Sequence, residues 1–416
     1  MLTCIVAVLL GASPVPQACG WQSAELARVA DVESVYVSPE GRVYVVLRDI
    51  EAKRCVRVLR ASDDGGKTWI TVQRYPYDSR DDLLGASLLG AGDGTMLLAE
   101  FVVRDYSQFK PGAAPSHSLL VSGDQGRSWK PAAGASAPSH TMAWALDRLW
   151  SWDARDAEWR VEQSADRGKS WQRSETLTLG SQTMPYAFGA DAQANLFAAG
   201  LVMTPNGPQQ NIWLVRRSSD GGKSWSTVDR VPAVGAKGPE AEARAMDFSA
   251  GGAVYVAGTV GSGTWTVRSS RDSGTTWRTV DSVLVGRAGP RSVAVAPDGT
   301  VFVAGSHDVP AEANGSGERA PKWFVRASRD GQHWFTTDLF SDPRYQEYWA
   351  EKVVVTPKGD VLVFGRGMGT RDLGNRYSES FYAPAIVRRL SCGENPLPVV
   401  NEAPAGSAPS KQPPAP

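Results

Sequence analysis

The chain has 416 residues, enough for one large repeat fold or for two to three ordinary domains. Hydrophobic residues make up 42% and charged residues 21%, which excludes an intrinsically disordered chain, and the 42 Gly and 15 Trp suit short strands with tight turns and large aromatic packing area. The 44 Lys and Arg balance the 44 Asp and Glu, so net charge gives no reason to expect nucleic acid or an acidic membrane surface as partner.

An apolar run from Leu2 to Leu10, then Gly11, Ala12, Ser13 and Pro14, opens the chain. It is too short to span a bilayer as a helix and has the form of a secretory signal peptide over residues 1–18, although no Lys or Arg precedes it. Export is therefore expected, to the medium, the periplasm or the cell surface. A lipid-modified Cys19 is the alternative, and Pro16-Gln17-Ala18 matches that signal poorly. No other segment reads as membrane-spanning.

Seven hairpins follow, each an apolar strand, a tight turn and another apolar strand. Their turns centre on Pro39-Glu40-Gly41, Gly92-Asp93-Gly94, Leu146-Asp147-Arg148, Asp191-Ala192-Gln193, Ala250-Gly251-Gly252, Pro297-Asp298-Gly299 and Pro357-Lys358-Gly359. After six of them comes the pattern Ser-x-Asp-x-Gly-x-(Ser/Thr)-Trp. It recurs at Ser62, Asp64, Gly66, Thr68, Trp69; at Ser122, Asp124, Gly126, Ser128, Trp129; at Ser164, Asp166, Gly168, Ser170, Trp171; at Ser218, Asp220, Gly222, Ser224, Trp225; and at Ser270, Asp272, Gly274, Thr276, Trp277. A copy one residue short is Ser328, Asp330, Gly331, Trp334. Successive box serines are 60, 42, 54, 52 and 58 positions apart, and periods of roughly this length with short strands indicate propeller blades.

The seventh hairpin, Val353-Val354-Val355 to Val361-Leu362-Val363, has no such pattern after it. Instead Ile386 to Gly393 aligns with Leu214 to Gly221, and Gly20-Trp21-Gln22-Ser23 matches Ser170-Trp171-Gln172-Arg173. The expected fold is all-β: a seven-bladed β-propeller of four-stranded blades over residues 19–394, its last blade closed by an N-terminal strand. Closure pairs the edges that an open ring would expose. The alignment sets Cys19 and Cys392 on either side of the broken hairpin turn, and a Cys19–Cys392 disulfide is expected in an oxidising compartment. Cys55 reads as a buried, unpaired thiol. Residues 395–416 are Pro-rich with little apolar bulk and read as a disordered tail.

The recurring pattern resembles the Asp box, also called the bacterial neuraminidase repeat, and the resemblance covers roughly Ala18 to Gly393. Families with this motif include sialidases, oligoxyloglucan-acting glycosidases, sortilin-type receptors and photosystem assembly factors. All use propellers and their functions differ, so the resemblance implies a fold and not an activity. It also implies a structural box: Ser and Asp bond the hairpin backbone, Gly takes a positive φ, and Trp packs into the blade. One carboxylate per box makes a poor calcium site. No metal or cofactor is expected, since His117, His140, His307 and His333 share no metal-ligand spacing.

Function on propellers usually sits where the loops between blades meet the loops joining each blade's second and third strands. A sialidase would need three arginines on the substrate carboxylate, a tyrosine nucleophile with a glutamate partner, and an acid/base aspartate. Arg244, Arg291, Arg366 and Arg376 are the candidate arginines, Tyr377 or Tyr348 the nucleophile, Glu242 its partner, and Asp81 or Asp82 the acid. Two departures stand against it: no Arg-Ile-Pro segment precedes the first box, and sialidase rings have six blades. A two-carboxylate glycosidase would draw on the Asp78–Asp82 cluster or on Glu347 and Glu351. A binding site asks for less, and Glu347, Tyr348, Trp349, Arg104 and Asp81 suit sugar stacking or a protein hot spot. The favoured reading is an exported, non-catalytic, monomeric propeller that binds a glycan, peptide or partner protein on its loop face. A sialidase-like glycoside hydrolase comes second. An assembly factor with a broad protein-sized contact patch comes third.

Overall fold

The computed structural model describes residues 19–400 except 29, 52–53, 77–81, 92, 104–115, 140, 156, 179–181, 204–210, 233–239, 287, 311–318, 343, 346, 373–377 and 392–396. Runs such as Val43-Tyr44-Val45-Val46-Leu47 and Leu196-Phe197-Ala198-Ala199 are almost completely buried on both faces. Such continuous apolar runs suit strands sandwiched between two neighbouring sheets.

Every strand pairs antiparallel, and the sheets are seven blades of four, stepping outward from a central axis. Blade one is β2 (Ala30–Val37), β3 (Val43–Glu51), β4 (Arg54–Ser62) and β5 (Ile70–Pro76). Blade two is β6 (Asp82–Gly90), β7 (Met96–Val103), β8 (Ser116–Ser122) and β9 (Lys130–Pro131), and blade three is β10 (Met142–Ala145), β11 (Arg148–Arg155), β12 (Glu158–Ser164) and β13 (Gln172–Leu177). Blade four is β14 (Gln182–Ala190), β15 (Leu196–Met203), β16 (Asn211–Ser218) and β17 (Ser226–Pro232), and blade five is β18 (Glu240–Phe248), β19 (Val254–Gly261), β20 (Thr264–Ser270) and β21 (Arg278–Leu284). Blade six is β22 (Pro290–Val295), β23 (Val301–Pro310), β24 (Arg319–Ser328) and β25 (Phe335–Phe340). Blade seven takes β26 (Glu347–Val355), β27 (Val361–Asp372) and β28 (Ser378–Ser391) from the C-terminal end and its outermost strand, β1 (Gly20–Ala27), from the other. The β1–β28 register runs from Gly20 opposite Ser391 to Ala27 opposite Ala385. The seven hairpins read from the sequence are the seven pairs of inner strands.

Blades pack face to face through large aromatics set against small residues. Trp213 on β16 is fully buried in one cluster with Ala241 and Ala243 on β18. Trp323 does the same with Ala350 of blade seven, Trp265 packs against Val293 and Phe324 of blade six, and all three indoles are fully buried. Each buries on the order of 200 Å², a large share of the core from few residues.

The six boxes sit in the turn between third and fourth strands. In the first five, the serine hydroxyl donates to the Asp Oδ1 at 2.7–2.9 Å and accepts the N–H of the box glycine at 2.7–2.8 Å. The other carboxylate oxygen accepts the hydroxyl of Thr68, Ser128, Ser170, Ser224 or Thr276 at 2.5–2.6 Å. Hydrogen bonds from the Ser128 hydroxyl and backbone hold the Asp124 carboxyl down at about 2. In the short sixth box His333 Nδ1 stands in for that hydroxyl, 2.6 Å from Asp330 Oδ2. The box glycine also touches the preceding blade: a Cβ on Gly66, at φ +86°, would lie 2.2 Å from Leu362 of blade seven.

A second joint repeats between blades. An arginine two residues before the box serine reaches an acid on the outer strand of the preceding blade. Arg216 meets Glu175 at 2.9 Å, Arg268 meets Asp229 at 2.7 and 2.8 Å, and Arg326 meets Asp281 at 2.6 and 2.9 Å. At ring closure Arg388 holds Asp338 at 2.6 and 2.7 Å and the Ser23 hydroxyl of β1 at 2.5 Å. The Trp21 indole donates to the Thr337 carbonyl at 2.8 Å, so β1 is pinned to blade six as well as paired within blade seven.

Candidate functional site

The ring has two ends. The inner hairpin turns and the boxes share one end, where a funnel of about 480 Å³ is lined by Tyr36, Pro39, Phe248, Pro297, Val355 and Pro357. That lining is mostly apolar and carries little chemistry. The inner strands begin at the other end, and the candidate site is built there.

Six of the seven inner strands carry a one-residue bulge near their start. The register slips between Val32 and Ser34, Leu83 and Gly85, Pro185 and Ala187, Ala243 and Ala245, Pro290 and Ser292, and Ala350 and Lys352. The extra residues are Glu33, Leu84, Tyr186, Arg244, Arg291 and Glu351. A bulge re-aims a side chain and ends regular pairing; Tyr186, Arg244, Arg291 and Glu351 are re-aimed at the channel mouth, while Glu33 turns in to Arg57. In four blades a glycine on the second strand makes the bulge possible. A Cβ on Gly200, Gly258, Gly305 or Gly365 would lie 1.7–2.1 Å from the carbonyl oxygen of Met184, Glu242, Gly289 or Trp349.

Charges at the mouth are linked in a chain across three blades. Arg291 reaches Glu351 at 3.3 Å, Glu351 lies 3.8 Å from Arg366, and Arg366 bonds Asp31, which also takes Arg48. Beneath it Arg57, fully buried, bridges Glu33 at 2.7 Å and Glu100, and the Ser118 hydroxyl donates to Glu100 at 2.9 Å. On the far side Arg244 bonds Glu242 at 2.5 Å. Two cation–π pairs flank the opening: Arg244 over Tyr186 at 5.0 Å and Arg291 over Trp349 at 4.7 Å. These two guanidinium side chains are 38% and 37% exposed, more than those of Arg48, Arg57 and Arg366, and Met184 beside Tyr186 is 42% exposed.

Several expectations from the sequence change here. Tyr348 is neither a ligand contact nor a nucleophile. It is fully buried in the blade six–seven core, its hydroxyl donates to the Asp342 carbonyl at 3.0 Å, and burial pushes its phenol above the ordinary range. Strand alternation sends Tyr348 inward where Trp349, its neighbour, reaches the mouth. Arg244, Arg291 and Arg366 do not converge on one open carboxylate position. Arg291 and Arg366 share the protein's own Glu351, and Arg244 stands apart on Glu242. Glu347 accepts the Trp349 indole N–H at 3.3 Å. Asp82 is described only as backbone, paired with Val103. Asp81, Arg104, Arg376, Tyr377 and Cys392 lie outside the described residues, as do residues 1–18 and 401–416.

Tyr186 and Lys352 escaped the sequence reading. For Tyr186 the signal was local, a long side chain between proline and a small residue early in an inner strand (Pro185-Tyr186-Ala187), with Ala199-Gly200 on the strand opposite; for Lys352, between Glu351 and Val353, it was the lone cation of an inner strand. Among the described residues no cluster of His, Cys, Asp and Glu could hold a metal ion, and no helix is long and apolar enough to cross a membrane.

No family model and no curated protein matches the chain. Its fold is nonetheless shared with solved structures. YCF48 bound to D1 peptide is similar with a TM-score of 0.51 at 16% identity, over 92% of this chain and 100% of that one. A Dyadobacter fermentans protein of unknown function gives 0.48 at 16%, over 88% and 99%. Trypanosoma rangeli sialidase gives 0.41 at 12%, over 88% of this chain and 55% of the sialidase. At these identities the likeness to YCF48 is one of fold.

Proposed function

We propose that the chain is an exported, non-catalytic propeller that binds a glycan, peptide or partner protein at the bulge-ringed mouth. One observation carries the reading: Arg244 on Tyr186 and Arg291 on Trp349 form two half-exposed, preordered surfaces facing a common opening. Stacked aromatics with fixed guanidinium groups suit sugar rings or a peptide backbone, and ordering them in advance lowers the entropy cost of binding. A sialidase needs its arginines for the substrate; here they hold acids of the chain itself, which favours binding over hydrolysis. The peptide-bound state of YCF48 supports the reading by analogy of fold alone.

The same proposal includes export and the Cys19–Cys392 bridge. Gly20 lies opposite Ser391, and in the sequence Cys19 and Cys392 are their immediate neighbours, which supports the pairing.

The test is a glycan and peptide array on the full chain, with affinities measured for each hit. Trp349→Ala and Arg244→Ala are expected to weaken binding by about 10-fold or more, as for hot-spot side chains. A fluorogenic sialoside is assayed beside it. Turnover that disappears in Arg244→Ala would overturn the reading in favour of a hydrolase.

A further inference from the structure

We infer that Lys352 is a recognition site for a carboxylate: its ammonium, set in the axial channel just below the mouth, takes the acid group of a ligand that enters there. The inference rests on the mouth being the binding site and names the chemical class of its ligand.

Lys352 lies on the innermost strand of blade seven, one step after the Glu351 bulge. It is exposed, whereas the next residue, Val353, is 3% exposed and packed in the core. At the same step after the bulge the other inner strands carry Ser34, Gly85, Ala187, Ala245 and Ser292. All five are small and uncharged, and Ser34, Ala245 and Ser292 are buried against neighbouring blades, whereas Lys352 at the same step is a long, exposed cation.

That cation has no hydrogen bond or ion pair among the described residues. The nearest carboxylate along the chain, Glu351, already serves Arg291 and Arg366. An exposed ammonium with no partner of its own on the innermost strand is free to take an incoming anion in a charge-assisted hydrogen bond. One cation beside one carboxylate suits a singly charged carboxylate better than a phosphate dianion. The aromatic and guanidinium groups above it would hold the remainder of the ligand.

The test uses paired probes on the full chain: N-acetyl-Gly-Ala against its C-terminal amide, and D-glucuronate against D-glucose. Binding is followed by calorimetry and by the Lys352 side-chain NMR signal. The acid of at least one pair is expected to bind about 10-fold or more tighter than its neutral partner and to shift that signal. The pair that responds identifies a peptide or a glycan source. Lys352→Met is expected to erase the preference for the acid and to melt no lower than the parent, and Lys352→Arg to retain it. A preference that survives in Lys352→Met, or acid binding that leaves the lysine signal unmoved, would overturn the inference. Should Lys352→Met fail to fold, Lys352→Gln and the parent's lysine signal decide in the same way. Trp349→Ala separates the two readings. Acid and neutral probes weakened equally support the mouth as the site. An acid preference lost only in Lys352→Met, with Trp349→Ala silent, keeps the lysine and removes the mouth.

Discussion

Asp247, on β18, is half-buried, and its Oδ2 accepts the Val295 N–H of the next inner strand at 2.7 Å. Burial lifts its carboxyl from the ordinary 3.8 to about 6, against the pull of the Val295 and Phe248 backbone. The folded chain therefore holds this proton more tightly than the unfolded chain. The favourable contribution is complete below about pH 4, declines as the pH rises toward 6, and stays lost above it. Asp247→Asn keeps an oxygen for Val295 and cannot ionise. In urea melts the variant is expected to exceed the parent by about 1–3 kcal/mol at pH 7.5 and to match it at pH 4. Equal stability at both pH values would mean that burial of Asp247 carries no such cost. Arg57 shows the opposite case: it is fully buried, yet two carboxylates answer it.

The inner strand and its bulge are the element on which the site depends. Gly258 gives the carbonyl of Glu242 room to approach, and Arg244 is the residue pushed out as a result. Gly258→Ala places a Cβ 1.7 Å from that oxygen, so the bulge must move. The variant is expected to lose about 1–3 kcal/mol of stability, as for overpacking, and to weaken array hits as much as Arg244→Ala does. Undiminished affinity in a folded Gly258→Ala would show that the bulge does not set the position of Arg244. This level of structure was only partly legible in the sequence. Ser62, Asp64, Gly66 and Trp69 announce a turn because all their bonds lie within eight residues. Arg326 and Asp281 announce nothing, because their partnership spans two blades and exists only once the ring has formed. Tyr348 and Trp349 look alike as neighbouring aromatics. Only the register of β26 against β27, with its slip after Ala350, decides which one is buried.

At the scale of the whole molecule, closure depends on β1, whose partners come from the far end of the chain. The Cys19–Cys392 bridge would fix that closure covalently. A loop of nearly the full chain length is worth about 6 kcal/mol in the loop-entropy account. Cys392→Ser is expected to melt well below the parent under oxidising conditions and to coincide with it once a reductant is present. A non-reducing peptide map lacking the Cys19–Cys392 pair would remove the bridge from the proposal. Seven blades and their composite closure were readable beforehand because the box and hairpin each repeat, and because the one missing box had its halves at the two ends. The mouth was readable in part: Arg244, Arg291, Arg366, Trp349 and Glu351 stood out as candidates, but Tyr186 and the pairings among them did not, since residues of different blades meet only through the curvature of the ring.

The joints between blades all point the same way. Each box glycine leans on the blade before it, and the arginines beside three of these turns, with Arg388 at the ring closure, reach back as well. A single blade is thus polar in the sense that a tile with one tongue and one groove is polar. Neighbours join head to tail, and only closing the circle leaves no tongue or groove unfilled. Such a design tolerates gain or loss of a whole unit more readily than half of one. It also makes the closing joint, where β1 pairs with β28 and Trp21 reaches blade six, the place where an incomplete ring would offer its open socket to another copy of the same chain.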